Sequence, residues 1–454
     1  ATGTTAQAGD AVIGGDGIDT LTISISGDAT TGVTTTAIRT EGIEKLFVSN
    51  FENDGGGAGN SVETISTTLM SGLTTVGTSA SGIDGHTTFS GLANFVDAEM
   101  RNGNQDLTLT YDGSQAVTGT ADSQNLTVSN LTGAAAGGVF TADGIEAITV
   151  TSETVKSTMK GIASNALKTL VIKGDQDLAV SDALVFAATV NGTAVDGTVD
   201  GSTATGKLTL DASGSASTVK VTGGTANDTI AMAGTLTKND LVDGGDGTDT
   251  LTMTAAALTT QFAGVTNIET VAFTAGVADA AMDVSKLSAG VTTIQMDLSD
   301  GTDGTNANIT GTISNLDGQT VVLKHTVADA ADTNNTDGTA YAITGKTDTA
   351  ADAVNVTLDA IGLNTGGAAN FGIDALDVAN FETVNLNSKK SATVTANEVR
   401  ALTDSSATTL NISGDADLTI TQTGTKLTKL DAADLGGKLA VTLGANKVSV
   451  TGTA

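Results

Sequence analysis

The chain repeats itself, and that constrains its fold more than anything else in it. Gly14-Gly15-Asp16-Gly17-Ile18-Asp19-Thr20-Leu21-Thr22 recurs 230 residues later as Gly244-Gly245-Asp246-Gly247-Thr248-Asp249-Thr250-Leu251-Thr252, with one position changed. Further landmarks keep the same order. Gly42-Ile43-Glu44-Lys45-Leu46 matches Asn267-Ile268-Glu269-Thr270-Val271, and Gly144-Ile145-Glu146 matches Asn380-Phe381-Glu382. Leu170-Val171-Ile172-Lys173-Gly174-Asp175-Gln176-Asp177 likewise matches Leu410-Asn411-Ile412-Ser413-Gly414-Asp415-Ala416-Asp417. Repetition at fixed order means that one packing solution serves more than once. The expected organisation is two tandem units, residues 1–222 and 223–454. Lys447-Val448-Ser449-Val450-Thr451-Gly452 begins the same approach again, so the expectation is a segment of a longer tandem protein.

Short runs such as Leu21-Thr22-Ile23-Ser24-Ile25 and Val354-Asn355-Val356-Thr357-Leu358 alternate apolar with hydroxyl or amide residues, the period of half-buried strands. Gly-Asp, Asp-Gly and Asn-Gly pairs punctuate them as tight turns. The 454 residues contain no proline, which suits long hydrogen-bonded ladders that a missing N–H would interrupt. The expected fold is all-β, a β-solenoid or a stack of sheets, with few short helices; residues 156–169 and 396–402 are the helical candidates.

Charge limits the partners. With 51 acidic against 20 basic residues the net charge is -31, which opposes binding to nucleic acid or to an anionic bilayer and favours divalent cations. A mean hydropathy of +0.10 with persistent alternation argues for a packed chain rather than disorder. Cysteine is absent, so neither disulfides nor thiolate metal sites are available, and no run approaches the ~18 apolar residues of a membrane-spanning helix.

The glycine turns carry the chemistry. In the pattern Gly-Gly-x-Gly-x-Asp-x-U-x, with U large and apolar, the glycines permit positive φ and aim carbonyls inward, the aspartate adds carboxylate oxygens, and U enters the core. A calcium ion needs about six to eight oxygens, so two stacked turns would share one. Gly14–Thr22 and Gly244–Thr252 match every fixed position, and residues 223–231 match all but the third glycine, where Ala226 stands. Degenerate copies nine residues before the complete turns retain Asp10 and Asp240. The candidate Ca2+ set is therefore Asp10, Gly15, Asp16, Gly17 and Asp19 in the first copy. In the second it is Gly224, Asn227, Asp228, Asp240, Asp243, Gly245, Asp246, Gly247 and Asp249.

These turns resemble those of repeats-in-toxin proteins. The segments 223–230, 243–251 and 407–416, the Ile/Phe-Glu segments and the Thr, Ala and Gly bias resemble more narrowly the surface-layer proteins of Gram-negative bacteria. The resemblance implies type I secretion of an unfolded chain, calcium-driven folding outside the cell, and self-assembly into a two-dimensional lattice on the bacterial surface. It implies the chain itself as main partner, with any cell-surface polysaccharide held by a region outside this chain. An extracellular adhesin that extends a distal binding tip is the alternative. The turns are fewer than in the long β-roll of toxins and proteases, and no secretion segment or anchoring domain is recognisable.

No enzyme is expected. His86 and His325 are the only histidines, they stand in unlike contexts, and no His-Glu-x-x-His occurs. The pairs Asp175/Asp177 and Asp415/Asp417 read as turn or calcium residues rather than as two acids straddling a glycosidic bond. Glu44, Glu146, Glu269 and Glu382 each precede apolar alternation and read as structural residues at strand edges.

Overall fold

A computed structural model describes residues 3–4, 9–27, 34–35, 38–52, 61–82, 85–112, 117, 119–133, 137–190, 193–215, 217–254, 261–273, 281–297, 309–324, 339–359, 361, 372–391, 395–444 and 446–452. The fold is an all-β parallel solenoid. It divides into two compact units: residues 1–231 with 239–249, and residues 232–238 with 250–454. Both halves of the stretch 223–228 and 240–249 thus belong to the first unit, whereas the repeats placed the division at 222/223.

In the first unit one sheet runs in chain order through Thr20–Gly27, Lys45–Glu52, Thr75–Ser79, Asp97–Gly103, Ser123–Leu131, Ala147–Ser152, Thr169–Gly174, Gly197–Ala204, Val219–Thr222 and Leu241–Asp243. A second sheet takes the strands between them, Ser61–Ser66, Gly85–Leu92, Leu107–Tyr111, Val139–Ala142 and Gly161–Ala163. The coils up to Gly161–Ala163 supply strands to both of these walls; further along the unit Leu178–Val180, Leu208–Asp211 and Thr229–Ala233 pair instead in a third sheet with Ser157–Met159. In register, Leu46, Val76, Ala98, Leu126, Val150 and Ile172 form one inward column, none more than 1 % exposed. Residues of a column lie one strand spacing apart, so each side chain packs on its counterparts above and below. This is why the interior needs few aromatics.

The second unit repeats the scheme. Leu251, Val271, Ile294, Val321, Val356, Leu386 and Ile412 form the equivalent buried column, although the coils joining them run from 20 to 35 residues. Opposite it stand Ala281–Asp283, Ile309–Leu316, Thr339–Gly345, Ala375–Ala379, Ala396–Asp404, Asp417–Gln422 and Leu439–Thr442. Added chain length between stacked strands costs little closure entropy, so coils of unequal length can share one column.

Both helical candidates are strands. Residues 156–169 contain Ser157–Met159 and Gly161–Ala163, and residues 396–402 lie inside Ala396–Asp404. Ser157 and Met159 are buried and Thr158 is not, a period of two that a neighbouring coil rewards with ladder hydrogen bonds; local helix propensity is too weak to compete. Helical geometry among the described residues is confined to the single 3-10 turns Gln261–Gly264 and Val284–Lys286.

Candidate metal centre

The two complete glycine turns have the same backbone. Gly15 and Gly17 hold φ of +118° and +116°, and Gly245 and Gly247 hold +94° and +133°. In the third turn neither Gly224 nor Ala226 has a positive φ. An alanine at the fourth position disfavours the left-handed region, and this turn follows another path.

Stacking follows the coil and not the nonapeptide. The turn at 223–228 lies against the one at 244–249, 21 residues along: Asp246 donates its amide to the Gly224 carbonyl at 3.1 Å, and Thr248 donates to Asn227 Oδ1 at 3.0 Å. This corrects the expectation of partners nine residues apart. Asp240 stands at the opposite end of strand Leu241–Asp243 from the glycine turn, where it accepts the Val219 amide at 2.8 Å. Asp10 is separated from Gly14 by strand Ala11–Ile13 in the same way and is exposed.

The aspartates divide into two groups. Asp228, Asp240 and Asp249 are 1 %, 3 % and 1 % exposed, whereas Asp16 and Asp246 face solvent. Asp228 and Asp249 form a carboxylate ladder, from which Asp240 stands apart. Asp249 Oδ1 accepts the Asp228 amide at 2.7 Å, and Asp228 Oδ1 accepts the Leu208 amide at 2.8 Å. Asp228 Oδ2 also takes the Gly224 amide at 2.5 Å, so both of its oxygens serve the backbone. Burial nevertheless pushes the Asp228 carboxyl above its ordinary range, against the pull of the Gly224 and Leu208 amides. Asp243 Oδ1 takes the Gly245 amide at 3.2 Å.

The first turn differs. Asp19 donates its amide to Glu44 Oε2 at 2.8 Å, while its own Oδ2 is buried without a hydrogen-bond donor. A β-carbon on Gly14 would sit 1.8 Å from the Gly42 carbonyl oxygen and 2.7 Å from that Oδ2, so only glycine lets these two oxygens approach the chain here. Asp19 and the Gly42 carbonyl therefore suit a calcium ion by the chemistry of their donors. Among the described residues no three His, Cys, Asp or Glu side chains gather around one point, so backbone carbonyls would supply most of the oxygens.

Two further copies of the turn escaped the glycine pattern. Gly119 donates to Asp122 Oδ2 at 3.2 Å and Thr349 to Asp352 Oδ2 at 2.6 Å, as Gly224 does to Asp228. Asp122 then donates its amide to Glu146 Oε2 at 2.8 Å and Asp352 to Glu382 Oε2 at 3.0 Å, the bond that joins Asp19 to Glu44. The four glutamates were the legible signal. The carbonyl of each accepts two consecutive amides of the next coil: Thr74 and Thr75 at Glu44, Lys168 and Thr169 at Glu146, Thr292 and Thr293 at Glu269, Thr408 and Thr409 at Glu382. They are structural corner residues, as their position before each strand indicated.

The paired aspartates serve turns. Asp177 Oδ1 accepts the Lys207 amide at 2.9 Å, Asp417 Oδ1 the Lys438 amide at 2.7 Å, and Asp415 Oδ1 the Lys390 amide at 2.8 Å. His325 lies outside the described residues. His86 is 3 % exposed, with Nδ1 at 3.1 Å from Asp106 Oδ2 and 2.9 Å from the Asp106 amide. Burial opposes the charge on Asp106, but His86 and the amides of Val139 and Gly138 outweigh it and hold the carboxyl below its ordinary range. A depressed folded pKa stabilises above the unfolded value of 3.8 and loses that contribution as pH falls through the folded one. Acid titration of unfolding free energy below pH 4 is therefore expected to be shallower in Asp106→Asn than in the parent.

No protein-family model matches the chain, and no curated protein matches it. What the fold and turns define is a class: a parallel β-solenoid whose coils are closed by Gly/Asp corners.

Proposed function

We propose that this chain is a calcium-stabilised structural protein of a bacterial surface layer, secreted and assembling with copies of itself into a two-dimensional lattice. The observation that carries the calcium part is the Gly14–Asp19 turn, with a donorless buried carboxylate oxygen facing a carbonyl across a glycine. The acidic excess supports it: at net charge -31 the clustered carboxylates repel one another until a cation binds, so that ion binding becomes folding energy. Asp19, the Gly42 carbonyl and the exposed Asp16 are the residues that would hold an ion there, and calcium would supply charge neutralisation. Asp228 belongs to the carboxylate ladder instead. The solenoid supports a structural role, since it presents extended regular walls.

Calcium added to EDTA-treated protein, followed by circular dichroism and light scattering, tests both parts. Free calcium at 100 times its Kd should stabilise the fold by about 2.7 kcal/mol and be followed by large ordered assemblies. Asp19→Asn should reduce that gain. Asp228→Asn should lower stability with and without calcium and leave the gain in place, because it breaks the ladder rather than the ion site. Calcium-driven folding that stops at a monomer would replace the lattice with the adhesin reading, and indifference to calcium would remove the metal.

A further inference from the structure

Two outward ranks of the second unit carry no charge. Thr250, Thr270, Thr293 and Thr320 stand in register and are continued by Asn355, Asn385 and Asn411, one residue from each of seven successive strands. The rank two residues along, from Thr252 to Ser413, is uncharged as well and includes Gln295, Val322 and Asn387. Beyond it a third rank alternates in sign, Asp297, Lys324, Asp359 and Lys389, and the Asp359 carboxylate lies 3.7 Å from Lys324 Nζ and 3.2 Å from Lys389 Nζ. The charges of that border offset one another. The equivalent wall of the first unit differs. Its ranks, which begin at Thr20 and Thr22, hold Lys45, Asp97 and Asp200 in one and Glu99 and Lys173 in the other.

The uncharged face is ordered as well as neutral. Asn385 Nδ2 donates to Asn355 Oδ1 at 2.9 Å, and Asn411 Nδ2 donates to Asn385 Oδ1 at 2.8 Å, so the three amides form a ladder along the stack. Side chains fixed in this way lose less entropy when a partner covers them. Ladders of this kind, repeating at one strand spacing, let two sheets pack face to face with their side chains in step. Hydroxyl and amide groups also cost far less to desolvate than carboxylates or ammonium groups.

We propose that this face packs against the same face of a second copy of the chain, sheet on sheet, in a two-fold contact. At a net charge of -31 two copies repel each other, and a surface without charge is where they can meet. Seven strands spaced ~4.8 Å apart, with about four residues of each, give a face of roughly 30 Å by 13 Å. Two such faces bury about 800 Å2 together, below the ~1,200 Å2 of stable interfaces. A contact of that size is weak alone and gains strength when a lattice repeats it. The inference rests on the reading of this chain as self-assembling and names the surface through which copies meet.

Sedimentation velocity of the full chain in calcium-containing buffer, over a range of protein concentrations, tests it. The double variant Gln295→Glu/Asn387→Asp adds two carboxylates to the face with almost no change of volume. Like charges brought together across a contact oppose it, so this variant should need about tenfold or more protein to associate as the parent does. Its melting curve should match the parent's, and added salt should restore part of the association by screening. Asn165→Asp/Gln176→Glu adds the same charge at exposed corners of the first unit and should associate like the parent. A parent chain that stays monomeric at every concentration overturns the self-assembly reading and this face with it. A parent that associates while the face variant does so equally well, or while the corner variant loses as much, overturns the face alone.

Discussion

Gly245→Ala is expected to destabilise the first unit by about 3 kcal/mol, and Gly15→Ala by only about 1 kcal/mol, although both occupy the second position of the same nonapeptide. Both glycines hold positive φ, +94° and +118°, so both substitutions pay the strain of a left-handed alanine. Their surroundings differ. A β-carbon on Gly245 would lie 2.2 Å from the Gly224 carbonyl oxygen, backbone that moves only if the stacked coil moves, whereas on Gly15 it meets nothing within 4 Å. The excess in Gly245→Ala therefore measures the stacking of one 21-residue coil on the next. Urea unfolding of both variants, with hydrogen exchange of the Val219–Thr222 and Leu241–Asp243 amides, reads it out. Equal costs would mean that these turns are not stacked in this register.

Thr149→Pro should be at least as damaging, about 3 kcal/mol or more, with Thr149→Ala costing less than about 1 kcal/mol. Strand Ala147–Ser152 is paired on both sides, with Thr149 opposite Asn125 in the preceding coil and Val171 in the following one. Its amide therefore serves the ladder whichever way it points, and a proline ring would remove a hydrogen bond and crowd a neighbouring strand. The same reasoning explains why 454 residues contain no proline. Loss of cooperative unfolding in the proline variant, against a near-parental curve for alanine, is the expected pair of results. A proline variant as stable as the parent would show that this strand is not interior to the sheet.

Much of this architecture was legible in particular residues. The alternation in Leu21-Thr22-Ile23-Ser24-Ile25 placed Ile23 and Ile25 inward, where they are 1 % and 3 % exposed. The recurring glutamates marked corners, and each one bonds two amides of the next coil. The turns at Asp122 and Asp352 were not legible, because Gly119 and Thr349 replace the glycine pair while the aspartate still closes onto the backbone. The helical candidates misled for a related reason: Lys, Ala and Met favour helix locally, but ladder pairing on both sides outweighs a few tenths of a kcal/mol per residue.

The sequence by itself determined the strand content, the repeated Gly/Asp corners and the inward face of each strand, because a period of two is written in adjacent residues. Only the tertiary structure decided that Asp228 meets Asp249 and Leu208, and that Asp240 lies at the far end of its strand. Those facts depend on which distant coil stacks on which. In the first unit that offset varies from 20 residues between Thr87 and Leu107 to 33 between Leu107 and Phe140. The burial of whole columns, not any local preference, selects each offset.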